Sequence, residues 1–264
     1  MPAPSLITVP QLARLIGLPD APIVVDVCID ADFALDPRLV PGAFRYPFDR
    51  IEEISPRLDR RTVVVCQKGL KLSQGAAALL RTRGVAAEAL EGGAVAWAAA
   101  DLPMVPLSAV PLRDDGTTLW VTRHRPKIDR VACPWLIRRF VDRRARFLFV
   151  EPAQVELVAE RYGATPFDVA GVRFSHREGC TFDTMLDAFG LRDEALDRME
   201  QVVRAADTNR HADAPQAAGL LAFAVGLSRM YRDDLEQVEA GLPLFDALYR
   251  WARDGHAEGH DHDR

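Results

Sequence analysis

Cys66 closes the apolar run Thr62-Val63-Val64-Val65 and opens Gln67-Lys68-Gly69-Leu70-Lys71-Leu72-Ser73. A strand ending at cysteine, then a short loop carrying glycine and lysine, then a helix, sets one thiol among main-chain amides and positive charge. Those surroundings favour the thiolate, which is the nucleophile. The amides of such a loop, with the N-terminus of the next helix, can cradle an anion, and Lys68 and Lys71 flank it. Gly69 lets the backbone approach a ligand with no side chain in the way. The residues leave a second reading open, a buried cysteine at a strand end.

Two further groups could do chemistry. Between Arg113 and Arg146 there are ten Arg or Lys against four Asp. Arg123, Arg125, Lys127 and Arg130 precede or open a helix and are the candidates for binding an oxyanion. Arg138, Arg139, Arg143 and Arg144 read instead as a solvated basic helix face. In Ser175-His176-Arg177-Glu178-Gly179-Cys180, an extended chain would turn His176, Glu178 and Cys180 to one side. Asp207 and His211 come from elsewhere. His176, Glu178 and Asp207 are the candidate ligands for a divalent transition metal, and a hydrogen-bonded polar site without metal fits the same residues. The histidines near the end (His256, His260, His262) read as part of a disordered tail.

The elements that must position these groups alternate in the first hundred residues. Ile23–Val27, Thr62–Val65 and Ala86–Leu90 read as buried strands, with helices over Ser73–Arg83 and around Trp97. The expected fold there is α/β, a parallel sheet with helices on both faces. Pro103, Pro106 and Pro111 mark a linker. After it come strands near 119–122 and 146–150 and a helix over 128–142, and beyond Phe182 the pattern is nearly all helical. That half is expected to be mainly helical α+β. The expected division is 1–106, a linker at 107–117, 118–254, and the tail at 255–264.

Bulk properties narrow the function. The 264 residues suggest two domains. A net charge of −5 argues against a general nucleic-acid binder. The four cysteines are scattered, without a C-x-x-C pair, as expected of a reducing cytoplasm. The N-terminus lacks the pattern of a signal peptide, and no apolar run reaches the ~20 residues of a membrane span.

The first half resembles the rhodanese (sulfurtransferase) family. Val24-Val25-Asp26-Val27, Val40-Pro41-Gly42-Ala43, Cys66-x-x-Gly69-x-Lys71-x-Ser73, and Leu90-Glu91-Gly92-Gly93-x-x-x-Trp97 through Leu102-Pro103 match its signatures in order. The resemblance implies that Cys66 accepts sulfur as a persulfide. Gln67, Lys68, Gly69, Leu70 and Ser73 would bind substrate, and Lys71 would replace the usual loop-ending arginine. The implied partners are a small sulfur-containing anion and a thiol acceptor, with no cofactor for the transfer. Cys28 stands where the family often has arginine, which implies that a structural ion pair is missing. Related phosphatases have arginine six residues beyond the cysteine. Here that residue is Leu72, which argues against a phosphatase.

The second half resembles the C-terminal domain of the chromate-resistance family ChrB. The carrying residues are Trp120-Val121-Thr122-Arg123-x-Arg125-Pro126-Lys127-Ile128-Asp129-Arg130-x-Ala132-Cys133-Pro134-Trp135, with Phe174-Ser175-His176, Cys180-Thr181-Phe182 and Ala206-Asp207-Thr208. It implies a role in the response to chromate. Regulators of that family carry a DNA-binding segment where this chain has its rhodanese-like half, so nucleic acid is not an expected partner. The combined expectation is a cytoplasmic sulfurtransferase coupled to a domain that binds an oxyanion or metal. The alternatives are a chromate sensor with little turnover, and a thiol-dependent chromate reductase using Cys66 with Cys133 or Cys180.

Overall fold

The structure is a computed structural model that describes residues 5–176 and 179–259. The chain falls into two compact units, Met1–Thr118 with Ile137–Arg144, and Leu119–Leu136 with Ala145–Arg264.

In the first unit the strands are β1 (Leu6–Ile7), β2 (Ile23–Asp26), β3 (Arg38–Leu39), β4 (Ala43–Arg45), β5 (Thr62–Val65), β6 (Ala87–Leu90) and β7 (Val105–Pro106). Its helices are α1 (Val9–Ala13), α2 (Asp30–Phe33), α3 (Lys71–Thr82) and α4 (Gly93–Ala99). Five strands form a parallel sheet in the order β1-β6-β5-β2-β4. Val25, Val64 and Ala89 share one face with Ala76, Ala77 and Leu80 of α3. Val24, Val63 and Val65 alternate to the other face and are equally buried. A sheet covered on both sides needs apolar residues at every position, which explains the unbroken Val runs.

Two expectations change here. Residues 107–117 belong to the first unit rather than to a free connector, because β7 pairs with β3 and the Leu107 amide donates to the Pro37 carbonyl. The helix expected over 128–142 stops being α-helical after Leu136. It continues as a π-turn over Ile137–Val141, whose Phe140 carbonyl accepts the Gly42 amide.

The second unit carries β8 (Leu119–Arg123), β9 (Arg146–Val150) and β10 (Thr165–Pro166) in a small parallel sheet of order β10-β8-β9. Its helices are α5 (Asp129–Leu136), α6 (Val155–Tyr162), α7 (Thr181–Ala188), α8 (Glu194–Asp207), α9 (Ala217–Met230) and α10 (Asp234–Arg250). Trp120 on β8 meets Phe167, Phe174 and Phe189 edge-on. The buried Trp135 indole donates to Asp246 at 2.8 Å.

The missing ion pair is supplied from another strand. Arg45 of β4 donates to the Cys28 carbonyl (2.8 Å) and to Asp30 (2.9 Å), and its Nε lies 3.9 Å from buried Asp26. Arginine thus approaches Asp26 from β4 instead of from position 28. Burial still dominates: it raises the Asp26 carboxyl from 3.8 to about 6, against the Cys28 amide bond and Arg45.

The folded state therefore holds the Asp26 proton more tightly than the unfolded chain does. The stability from that proton is complete below about pH 4 and is lost as pH rises through about 6. Asp26→Asn removes the titration. Between pH 4 and pH 6 the stability of the wild type should fall relative to this variant by about 2 kcal/mol in parallel denaturant titrations. A difference independent of pH would contradict the raised carboxyl.

Candidate functional site

The geometry around Cys66 follows from three local facts. First, β5 delivers Cys66 onto the sheet face that α3 covers. Its Sγ lies 3.1 Å from the Ser73 hydroxyl in the first turn of α3. Second, Leu70 is the N-cap of α3 and supplies no side-chain cap. Among the described residues, the amides of Lys68 through Ser73 donate to no chain carbonyl. The opening of a helix then offers uncapped donors and partial positive charge beside a thiol. Third, α4 holds the loop in place. The Ala94 and Val95 amides donate to the Cys66 and Gln67 carbonyls, both at 3.0 Å.

Glycine is required where loop and α4 touch. Gly69 (φ +66°) and Gly93 (φ +61°) are both left-handed. A Cβ on Gly93 would collide with the Cys66 carbonyl and the Gly69 amide. One on Gly69 would meet the Gly92 and Gly93 amides at 2.7 Å. Gln74 completes the bracing, donating to the Gly69 carbonyl at 2.9 Å.

Lys68 and Lys71 are exposed beside the loop, and Leu70 stands 58% exposed on it. The thiol does not sit openly at a pocket mouth. Cys66 is only 5% exposed and packs with Val25, Val27 and Val64. Cys28 lies near the loop, where the Gln67 amide donates to it. Burial first, then Asp26, raises its thiol to about 11, so it is protonated at neutral pH.

In the second unit the candidate residues are placed differently from the expectation. Arg123 donates to Asp168 at 2.8 Å, and Arg130 Nε lies 3.1 Å from the same carboxylate. Arg125 is used elsewhere: its guanidinium donates to the Ser228 and Tyr231 carbonyls and its amide to Asp234. Lys127 is exposed. The four cations therefore do not form one patch; Arg123 and Arg130 alone share an acceptor.

His176 is exposed, with Nδ1 3.8 Å from Asp168. Cys180 does not share a face with it. It is fully buried as the N-cap of α7, with Sγ 3.3 Å from Asp183. Glu178 lies outside the described residues, as do His260 and His262. Among the described residues, no group of three or more His, Cys, Asp or Glu is arranged to hold a metal.

Sequence reasoning missed Asp168 and the role of Asp129. Asp168 occupies a left-handed conformation (φ +52°) and also accepts the Thr181 hydroxyl at 3.2 Å. Asp129 is buried and accepts the Thr181 (2.7 Å) and Phe182 (2.9 Å) amides, capping α7 from another helix. Desolvation, then Asp207 and Asp168, push its carboxyl up to about 7 against those two bonds. Asp207 is raised as well, by desolvation and then by Asp168. No motif singles out Asp168. Asp129 was visible only as the one carboxylate within a cationic run.

The comparisons with known proteins divide along the chain. The family described as ChrB, C-terminal domain, matches residues 120–252. Protein ChrB of Cupriavidus metallidurans is 37% identical over 133 residues, 49% of this chain and 39% of its own length. The chain thus spans about two-fifths of that relative. A rhodanese-related protein from Thermoplasma volcanium is 22% identical, over 38% of this chain and 97% of that one, with a TM-score of 0.33. A thiosulfate sulfurtransferase from Pseudomonas aeruginosa is 31% identical, over 39% of this chain and 19% of that one, with a TM-score of 0.34.

The contact between Gly93 and the loop gives a test of the bracing. Gly93→Ala should destabilise the chain by at least about 2 kcal/mol in urea, through the collision and the left-handed backbone. Gly75→Ala is the control: it lies in α3 with nothing within 4 Å of its Cβ position, and should be neutral or stabilising. Equal effects at the two positions would show that α4 does not set the loop.

Proposed function

Since the chain belongs to the ChrB C-terminal-domain family and carries a rhodanese-like unit before that domain, we propose that it is a rhodanese-type sulfurtransferase. The observation that carries this reading is the Cys66 thiol, hydrogen-bonded to Ser73 beside uncapped amides of α3. A small anion with a sulfane sulfur, such as thiosulfate, docks on those amides and on Lys68 and Lys71. The Cys66 thiolate attacks the outer sulfur. The donor's S–S bond breaks, sulfite leaves with the bonding pair, and Cys66 holds a persulfide. A thiolate or cyanide acceptor then takes the outer sulfur and returns the Cys66 thiolate. Ser73 positions the sulfur by hydrogen bond, and Lys71 supplies a point charge where a forked guanidinium would otherwise stand.

The reductase alternative has weaker support. Cys133 and Cys180 are both fully buried, and burial raises both thiols well above their ordinary range. Neither supplies a thiolate near neutral pH.

One observation favours an oxyanion reading for the second unit. Arg123 Nε is enclosed without an acceptor among the described residues, beside Arg130. That donor, with Arg130, is where chromate would bind, in competition with Asp168.

Thiosulfate:cyanide turnover tests the first reading. Cys66→Ser should lose it by about a thousandfold or more, as for loss of a covalent nucleophile, and Ser73→Ala should lose about tenfold. Wild-type protein incubated with thiosulfate should gain the mass of one sulfur atom, absent in Cys66→Ser. Undiminished turnover in Cys66→Ser would end this account. For the second unit, calorimetric titration with chromate should give saturable heat that Arg123→Gln abolishes. No heat with the wild type would remove chromate as its ligand.

A further inference from the structure

The first unit holds a cavity of about 580 Å³ in which Cys66 and its loop take no part. It lies beside β4, the edge strand of the parallel sheet, and every residue that lines it belongs to the first unit. Its apolar wall includes Leu39, Phe44, Leu107, Val110, Phe140 and Val141. Protein interiors leave few voids larger than a water molecule. A hollow of this size falls within the roughly 300–1,000 Å³ of small-molecule sites, which are mostly apolar with a few placed polar groups.

The placed groups are arginines. The expectation of a solvated basic helix face over Arg138–Arg144 fails for Arg143 and Arg144: both follow the π-turn, outside any helix, and both line the cavity. Arg143 is half-buried and donates to the Ala21 carbonyl at 3.0 Å. Arg60, also on the lining, donates to the Pro19 carbonyl at 3.2 Å. Two guanidinium groups are thus hung from one short segment by neutral acceptors. Burial first, then Arg60, lowers the Arg143 guanidinium, so like charges are held close at this end of the cavity. Asp59 opposes them from 3.6 Å off Arg60, but it is 74% exposed to solvent. The other carboxylates there are engaged by their own surroundings. Asp142 accepts the Thr118 amide and hydroxyl and the Arg144 amide, and Asp115 accepts the Thr117 amide and hydroxyl.

We propose that this cavity binds a small apolar carboxylate, its hydrocarbon body against Phe44, Val110 and Phe140 and its head group on Arg60 and Arg143. Each guanidinium carries five donors in a fork that matches a carboxylate. One donor of each is spent on a main-chain carbonyl, which fixes the group and leaves the others for the ligand. The head offsets the repulsion between the two arginines, and the body fills space that the chain leaves open. A cationic amphiphile with the same tail would add a third positive charge to that end, and a neutral one would leave the pair uncompensated.

Calorimetric titration of the full chain with decanoate, 1-decanol and decyltrimethylammonium tests the proposal. Decanoate should bind saturably at one per chain, about tenfold or more tighter than either of the other two. The double change Arg60→Gln with Arg143→Gln should weaken decanoate about tenfold or more and leave 1-decanol unchanged. Val110→Trp, which fills the cavity, should abolish binding of all three. Circular dichroism and thermal unfolding identify variants that keep the fold, and the comparison among the three amphiphiles on the wild type needs no variant. The proposal is overturned by the absence of saturable decanoate binding up to millimolar concentration, or by equal affinity for decyltrimethylammonium. Decanoate binding that survives Val110→Trp in a folded variant overturns it as well, since the ligand then sits elsewhere.

Discussion

The hydrogen bonds from the Ala94 and Val95 amides to the Cys66 and Gln67 carbonyls hold the whole of the first site. They turn those carbonyls into the protein and tie the five-residue loop 66–70 to α4. Two helix N-termini meet one loop and are used oppositely. The donors of α4 are consumed by the chain, and those of α3 are left uncapped. Buried main-chain groups are nearly always paired, so a run of unpaired donors at a helix start stands out as capacity for an anion. The arrangement is possible only because Gly69 and Gly93 place backbone against backbone, where any Cβ would force the helix away from the loop.

The second unit spends its polar groups in the opposite way. Asp129 caps α7 across a gap of some fifty residues in sequence, and Asp168 draws in Arg123, Arg130 and the Thr181 hydroxyl. Four separate elements (β8, α5, α7 and the turn after β10) are held together by two carboxylates. Among the described residues, Arg123 and Arg130 meet Asp168, Arg125 is tied to main-chain carbonyls, Lys127 is exposed, and Arg123 Nε is enclosed without an acceptor. A dense cationic motif need not be a binding surface. Whether it is depends on which acidic residues the fold brings to it, and here the main one is Asp168.

That contrast also explains what was legible in the sequence. The parallel sheet of the first unit was readable because both faces are covered, so β2 and β5 are unbroken apolar runs. The Cys66 loop was readable because its chemistry is local: thiol, glycine and helix start lie within eight residues. Ser73 was legible in the same span as a substrate-binding residue, whereas its hydrogen bond to the thiol came from the fold. The depth of Cys66 was not readable, since it depends on Val25 and Val27 from another strand. Nor was Arg45 as the neighbour of Asp26, which depends on the parallel pairing of β2 with β4. In the second unit, His176 and Cys180 looked like neighbours on a strand. The chain instead starts a helix at Thr181 and uses Cys180 as its cap, which sends the two side chains to different environments. Arg125 looked like its cationic neighbours until the fold tied it to the end of α9 and the start of α10, through contacts more than a hundred residues away.

The depth of Cys66 bears on the proposed chemistry. A fully exposed thiolate would react with any oxidant or electrophile that reached it, whereas a sulfur carrier must release its cargo to a chosen acceptor. The acceptor needs to reach only the outer sulfur of a persulfide, which lies about 2 Å beyond Sγ. On the proposed reading, a thiol that is 5% exposed, in one apolar cluster with Val25, Val27 and Val64 and 3.1 Å from the Ser73 hydroxyl, would keep its own sulfur shielded while the transferable one lay toward the uncapped amides. The same burial that argues against a reactive surface cysteine is thus what the proposed shielded carrier would require.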